Sequence, residues 1–270
     1  MNDKIPCTVY VLTLNSEAVL ERALKTLGDF AEILVCDGNS TDRTLDIARR
    51  YGARIIKQSD SDEPNKRLED FAVVRNRCID EATYDWMLQV DSDEIIGPEI
   101  VEEIRGIVSR PIEHCLYQVP NRIIFRGKVI RYSTAYPGYQ MRFFNRRCGA
   151  RYERTPHSRF VYDTAKYSVG YLKNPWYVFV EATDGLARHY VAIEARGLLR
   201  LPTWQFIRWG VLNRIYRVVK LAAKVTWLYV RHGFKDTMPP SAEYMRVRYA
   251  AAVMFTAIRW RLRVGKPDPV

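Results

Sequence analysis

Two carboxylates one residue apart, Asp91 and Asp93, follow a short apolar run over 86–90, and Glu94 comes directly after them. Open α/β sheets bind ligands just beyond the carboxyl ends of their strands. Carboxylates placed there can hold a hard divalent cation, which uses few protein carboxylates and completes its shell with substrate phosphate oxygens. A polar turn after a strand is the competing reading, because Asp and Ser are ordinary turn residues. The residues that reach the same sheet edge decide between the two.

Two further loops do so. Thr13 and Asn15 close an apolar run over 8–14, and Asp37, with Gly38, Ser40, Thr41 and Asp42 behind it, closes Ile33 to Cys36. The elements that position these residues follow from periodicity. Thr8 to Leu14, Ile33 to Cys36, Ala53 to Lys57 and Trp86 to Val90 predict buried strands. Asn15 and Ser16 predict the cap of a helix carrying Leu20, Leu24 and Leu27. Ser40 to Asp42 predicts the cap of a second helix, which stops at Gly52. Phe71, Val74, Cys78 and Ala82 mark a third helix, and Pro98 opens a fourth at its first turn. Strands alternating with helices of this length imply an α/β fold with a mostly parallel sheet flanked by helices. Beyond residue 114 the pattern shifts to shorter strands: Leu116 to Val119, Arg122 to Phe125, Lys128 to Arg131 and Gln140 to Asn145, with a hairpin at Gly127. From Leu198 onward it is helical, basic and aromatic-rich.

With 270 residues and 47% hydrophobic residues the chain can bury a sizeable core. Its formal charge of +11 implies an anionic partner: nucleic acid, a phosphorylated substrate or acidic lipid. The five cysteines are odd in number and form no Cys-x-x-Cys pair, which argues against a disulfide framework or zinc site and fits a reducing cytosol. The N-terminus has no charged-then-apolar leader pattern, and no run of 18 apolar residues predicts a spanning helix.

Thr13 to Asn15, Asp37 to Asp42, Asp91 to Glu94, and the helix segment with Ala72, Arg75 and Asn76 together resemble the family 2 glycosyltransferases of the GT-A, Rossmann-like fold. The resemblance implies a GT-A catalytic domain over 1–197, with a nucleotide-binding half at 1–113 and an acceptor half at 114–197. The basic amphipathic region then occupies 198–270. Phe125 to Ile130, Tyr136 to Phe144, Pro156 with His157, Arg188 to Tyr190 and Gly233 to Asp236 resemble the lipopolysaccharide-core glucosyltransferase branch. The implied reaction moves a sugar, with inversion, from a nucleotide-diphosphate sugar, UDP by family habit, to a hydroxyl of a lipid-linked or cell-envelope saccharide.

In that reading Asp93 is the preferred ligand of a divalent metal, Mn or Mg, and Asp91 sits nearer the ribose or the ion's water shell. The metal stabilises the leaving diphosphate as a Lewis acid. Asp37 hydrogen-bonds the base, Thr13 and Asn15 line the base and ribose pocket, and Arg75 reaches the phosphates or braces Asp91. A turn residue, a helix cap and a solvated helix charge are the respective alternatives for Asp37, Asn15 and Arg75. Inversion needs a base for the acceptor hydroxyl. Where the branch carries His-Glu this chain has His157 and Ser158, so His157 and Glu153 are the leading candidates, with Asp163 and Glu94 behind them. His189 is a further metal ligand by resemblance, or a surface histidine.

The C-terminal segment interleaves cations such as Arg217, Lys220 and Lys224 with Trp204, Trp209 and Trp227. Basic amphipathic helices of this kind favour an anionic membrane interface, here the cytoplasmic face without crossing. A packed stripe with solvated charges is the plainer alternative. A nucleic-acid-binding protein and an inactive glycosyltransferase relative are the competing functions. No nucleic-acid motif is present, so nucleic acid is not expected as a partner.

Overall fold

The computed structural model describes residues 3–66, 70–153, 159–180 and 186–262, with the backbone alone for 186–189. Strands β1 (Ile5–Thr13), β2 (Phe30–Asp37), β3 (Arg54–Lys57) and β4 (Trp86–Gln89) lie in the order β3-β2-β1-β4, all parallel. Parallel strands are covered on both faces, which is why they read as unbroken apolar runs. Side-chain alternation sends Val9, Val11, Trp86 and Leu88 into one core layer and Tyr10, Leu34, Cys36 and Met87 into the other.

Helices α1 (Leu20–Leu24), α2 (Thr44–Arg50) and α4 (Pro98–Val108) cover the first layer through Leu20, Leu24, Ile47, Ile100 and Ile104. Helix α3 (Phe71–Glu81), capped by Asp70, covers the second with Val74, Cys78 and Ile79. The doubly wound α/β arrangement expected from the sequence is therefore present. Pro98 does open α4, while α1 begins later than Asn15 and Ser16 suggest and has no side-chain cap.

The other strands are β5 (Glu94–Ile96), β6 (Leu116–Phe125), β7 (Lys128–Val129), β8 (Gly138–Asn145), β9 (Arg151–Glu153), β10 (Arg159–Val161), β11 (Val169–Tyr171) and β12 (Trp176–Val180). The sheet continues from β4 through β8, β6 and β12 to β5, and β8 runs antiparallel to both β4 and β6, so the sheet is mixed. Its join is packed by Trp86 stacked on Phe143, ring centroids 4.7 Å apart, a contact worth about 0.5–1.5 kcal/mol beyond area burial. The two strands expected over 116–119 and 122–125 are one strand, β6, paired to β8 at Pro120 and Tyr139 as well. The strand expected over 128–131 shortens to β7, after a turn in which Arg126 and Gly127 both have positive φ.

The chain folds as two compact units, Met1–Arg122 with Pro137–Phe179, and Ile123–Tyr136 with Val180–Val270. The first holds the parallel strands and both core layers. The second contains α5 (Leu186–Leu199), α6 (Thr203–Gln205), a π-helical stretch (Phe206–Leu212), α7 (Asn213–His232) and α8 (Pro240–Arg261). The expected division at 197/198 falls inside α5. Among the described residues no helix is long and apolar enough to cross a membrane. All five cysteines are free, and Cys7, Cys36, Cys78 and Cys148 are buried.

Candidate active site

The parallel strands end at one edge, and three loops meet there. Asp37, at the end of β2 and 3% exposed, accepts hydrogen bonds from Thr13 Oγ1 at 2.7 Å, Ser40 Oγ at 2.6 Å and the Ser40 N–H at 2.7 Å. Asn15 has a left-handed backbone, φ 48°. Its N–H donates to Ser40 Oγ at 2.8 Å and its Oδ1 accepts the Thr41 N–H at 3.0 Å. It therefore joins two loops instead of capping α1, because its amide is spent on the second loop. With Ser40 committed to Asp37, the start of α2 falls to Asp42, whose Oδ1 accepts the Thr44 N–H at 2.9 Å. Ser16 Oγ and Ser92 Oγ, 3.3 Å apart, tie in the third loop.

Gly38 shows how tightly this edge is built. A Cβ there would lie 2.9 Å from Gln58 Oε1, 3.0 Å from the Lys66 carbonyl oxygen and 3.2 Å from Leu14 Cδ1. Gln58 cannot swing away freely, since its Nε2 donates to the carbonyls of Thr13 and Cys36, both at 3.0 Å. Gly38→Ala should therefore cost about 1–3 kcal/mol, as overpacking does. Chemical denaturation measures this, and an unchanged midpoint would show that the loop yields.

Beyond β4 the chemistry is organised by Arg142 on β8, which is 5% exposed. Its Nη2 donates to Asp91 Oδ2 at 2.9 Å and to Glu94 Oε1 at 3.1 Å, and its guanidinium lies 5.0 Å from the Trp176 ring. Burial works against the Asp91 charge, but Arg142 outweighs it and holds the carboxyl below its usual range. Glu94 is buried more completely; burial, helped by the Asp91 charge and opposed by Arg142, pushes its carboxyl up to about 7. Asp91 Oδ1 accepts from Gln89 Nε2 at 3.2 Å, and Gln89 Oε1 accepts from the hydroxyls of Tyr10 and Tyr152, both at 3.0 Å. Asn76 holds Tyr152 in turn, exchanging two hydrogen bonds of 2.9 Å with its backbone. The aspartate is thus fixed through a buried polar chain that spans β1, β4, β8 and β9.

The sequence-expected residues divide as follows. Thr13, Asn15, Asp37, Asp91 and Asp93 come together at the strand ends. Asp93 is exposed, and its carboxylate has no hydrogen-bond or ion-pair partner among the described residues. The guanidinium of Arg75 lies 5.1 Å from the Tyr152 ring and 5.5 Å from that of Phe71; its positive charge favours ionised Asp91, but the hydrogen-bonded brace is Arg142. Glu153 is exposed at the end of β9 beside Tyr152. His157 lies outside the described residues, as does the side chain of His189, whose backbone belongs to α5.

Among the described residues no group of three or more His, Cys, Asp or Glu side chains could enclose a metal. An unpartnered oxygen donor beside a braced one nevertheless suits a hard divalent cation, whose remaining shell comes from phosphates and water. Sequence reasoning missed Gln89, Tyr10 and Tyr152 as supports, and saw Arg142 only as part of a motif. The one signal that could have marked it is its place in the apolar run Met141 to Phe144, since β8 is buried without a break from Arg142 to Asn145.

The profile of Glycosyl transferase family 2 matches residues 8–164, more than half of the chain. An uncharacterized glycosyltransferase of Rickettsia typhi is 28% identical over 123 residues, 44% of this chain and 39% of the relative. A PGL/p-HBAD biosynthesis glycosyltransferase of Mycobacterium bovis is 38% identical over 96 residues, 32% of this chain and 35% of that protein. The matches thus span about two-fifths or less of the length of these curated relatives. Among solved structures, S. aureus TarS 1-349 is 15% identical, with 95% of this chain and 91% of that one covered and a TM-score of 0.46. Glucosyl-3-phosphoglycerate synthase of Mycobacterium tuberculosis, solved with Mn2+ and uridine-diphosphate, is 22% identical over 47% of this chain and 45% of that one, with a TM-score of 0.34. On the profile match, which takes in the Thr13, Asp37 and Asp91–Asp93 loops, this chain belongs to glycosyl transferase family 2.

Proposed function

We propose that this protein is an inverting glycosyltransferase that moves a sugar from a nucleotide-diphosphate sugar to a hydroxyl of a lipid-linked or cell-envelope saccharide. One observation supports the reading above all others: three loops of a family 2 chain join at the C-terminal edge of its parallel strands, with a free carboxylate, Asp93, beside a braced one, Asp91. Thr13, Asn15 and Asp37 would line the nucleoside pocket, and UDP is the nucleotide the family resemblance favours. Asp93, with Asp91 next to it, would hold Mn2+ or Mg2+, and His189 remains a proposed additional ligand. Bound there, the ion stabilises the charge of the leaving diphosphate. Arg142 keeps Asp91 ionised for that purpose. Glu153 and His157 are the proposed bases for the acceptor hydroxyl. The motifs from Tyr136 to Phe144 and Gly233 to Asp236 favour a lipopolysaccharide-core acceptor.

A thermal-shift panel of nucleoside diphosphates with and without Mn2+ tests this reading. UDP should raise the melting temperature only when the metal is present; no shift with any nucleotide would refute it. Asp37→Ala should weaken UDP binding by about 1.5–3 kcal/mol, the range for a hydrogen bond to a charged group. Because Asp37 also organises Thr13 and Ser40, the variant should lose stability as well. Calorimetry separates the two effects, and unchanged UDP affinity would leave Asp37 a purely structural loop residue.

We further propose that the second unit docks on the anionic cytoplasmic face of a membrane. Trp204, Ile207, Trp209, Ile215, Val219 and Trp227 are all exposed there, among cations such as Arg217 and Lys220. An amphipathic interface of this composition suits acidic headgroups. The protein should sediment with phosphatidylglycerol vesicles in low salt, and much less with phosphatidylcholine. Equal sedimentation with both lipids would contradict the docking.

A further inference from the structure

The second unit contains a cavity of about 650 Å³ lined from α5, α7 and α8. Arg214, Arg217, Lys220 and Lys224 line it from α7. Their spacing of three, three and four residues keeps them on one face of that helix. Arg246 joins them from α8, and Glu194 is the one acidic residue in the lining. That carboxylate is already engaged on both oxygens, by Arg214 Nη2 at 2.6 Å and by the Tyr249 hydroxyl at 2.8 Å. Arg246 donates to Thr134 Oγ1 at 3.0 Å. Arg217, Lys220 and Lys224 make no salt bridge with a described residue. Lys220 Nζ instead lies 5.6 Å from the ring of Tyr216, which also lines the cavity.

Like charges three and four residues apart on a helix repel each other. Five cations around a concavity with one saturated carboxylate therefore make a site that an anion would complete. The volume falls within the range of small-ligand pockets. Arg forks together with Lys point charges match the several oxygens of a phosphate better than the two of a carboxylate. Tyr216, Leu221 and Met245 supply an apolar wall for what the phosphate is attached to.

We propose that this α7–α8 cavity binds a terminal phosphate or diphosphate group carried on an organic remainder. Binding here concerns the second unit alone and does not depend on the transferase activity proposed above.

Calorimetric titration of the full chain with inorganic pyrophosphate, in chelator and at fixed ionic strength, tests the proposal. Saturable binding tighter than that of acetate is expected, and Arg217→Gln combined with Lys220→Gln should weaken it at least tenfold. Both positions are exposed, so the variant should melt no lower than the parent; Lys224→Gln with Arg246→Gln provides a second, independent pair. Pyrophosphate binding no tighter than acetate, or undiminished in both folded variants, would overturn the site. The source of the phosphate is read with vesicles of matched surface charge. A preference for phosphatidic acid over phosphatidylglycerol, lost in the variants, assigns a lipid phosphomonoester. No preference, with pyrophosphate binding retained by the parent protein, assigns a soluble one.

Discussion

Asp93→Ala should abolish sugar transfer and remove metal-dependent nucleotide binding while leaving the fold intact. Asp93 is exposed and its carboxylate has no partner among the described residues, so loss of that group should change stability by no more than about 0.5 kcal/mol. A metal acting as Lewis acid on a diphosphate is worth several kcal/mol of transition-state stabilisation. Since about 1.4 kcal/mol is a factor of ten in rate, turnover should fall more than about a hundredfold. The check is turnover together with the Mn2+-dependent thermal shift by UDP. Full turnover of the variant in chelator would remove Asp93 from the metal site.

Arg142→Leu should have the opposite profile, with stability lost as well as activity. Arg142 pairs with Glu94 and Asp91, and both its own side chain and that of Glu94 are only 6% exposed. Removing one partner of a buried ion pair leaves the other uncompensated, at a cost of about 3–5 kcal/mol. For a chain of this size that lowers the melting temperature by on the order of 10 °C. Glu94→Leu in the same chain should recover part of the loss, because a buried pair replaced by apolar groups is often close to neutral. Recovery should be incomplete, since Asp91 still lacks its brace.

The pH dependence has a definite sign. Glu94 titrates at about 7 in the folded protein, above its ordinary value of 4.5. Between those values the folded chain keeps a proton that the unfolded chain releases. The stability associated with this group is therefore complete below about pH 4.5 and declines as pH rises toward 7. Without Arg142, which favours the charged form, the folded value rises further and the decline extends to higher pH. The Arg142→Leu penalty should accordingly be larger at pH 8 than at pH 5, as measured by chemical denaturation. Equal penalties would mean that Glu94 is not the group left uncompensated. Asp91 works in the other direction: its value is lowered in the fold, so its contribution is lost on acidification.

Local pattern alone determined the parallel core of this protein. A strand covered on both faces must be apolar throughout, so β1, β2 and β4 are visible as runs, and the polar positions at or just past their ends, Asp37, Asp91 and Asp93, follow by counting. The spacing of Leu20 and Leu24, of Ile100 and Ile104, and of Val74 and Cys78 likewise marks one face of a helix. Tertiary structure decided what those polar residues do. Asn15 and Ser40 have the side chains of helix caps, but across a gap of 25 residues the Asn15 N–H donates to Ser40 Oγ and the Asn15 side chain takes the Thr41 N–H, while Asp42 Oδ1 accepts the Thr44 N–H at the start of α2. Residues 116–119 and 122–125 read as two strands, yet β8 pairs along β6 through Pro120 between them. The brace on Asp91 comes from Arg142, 51 residues away. No local propensity encodes such a partner: burying a charge is costly wherever it occurs, and only the folded sheet brings in the opposite charge that offsets the cost.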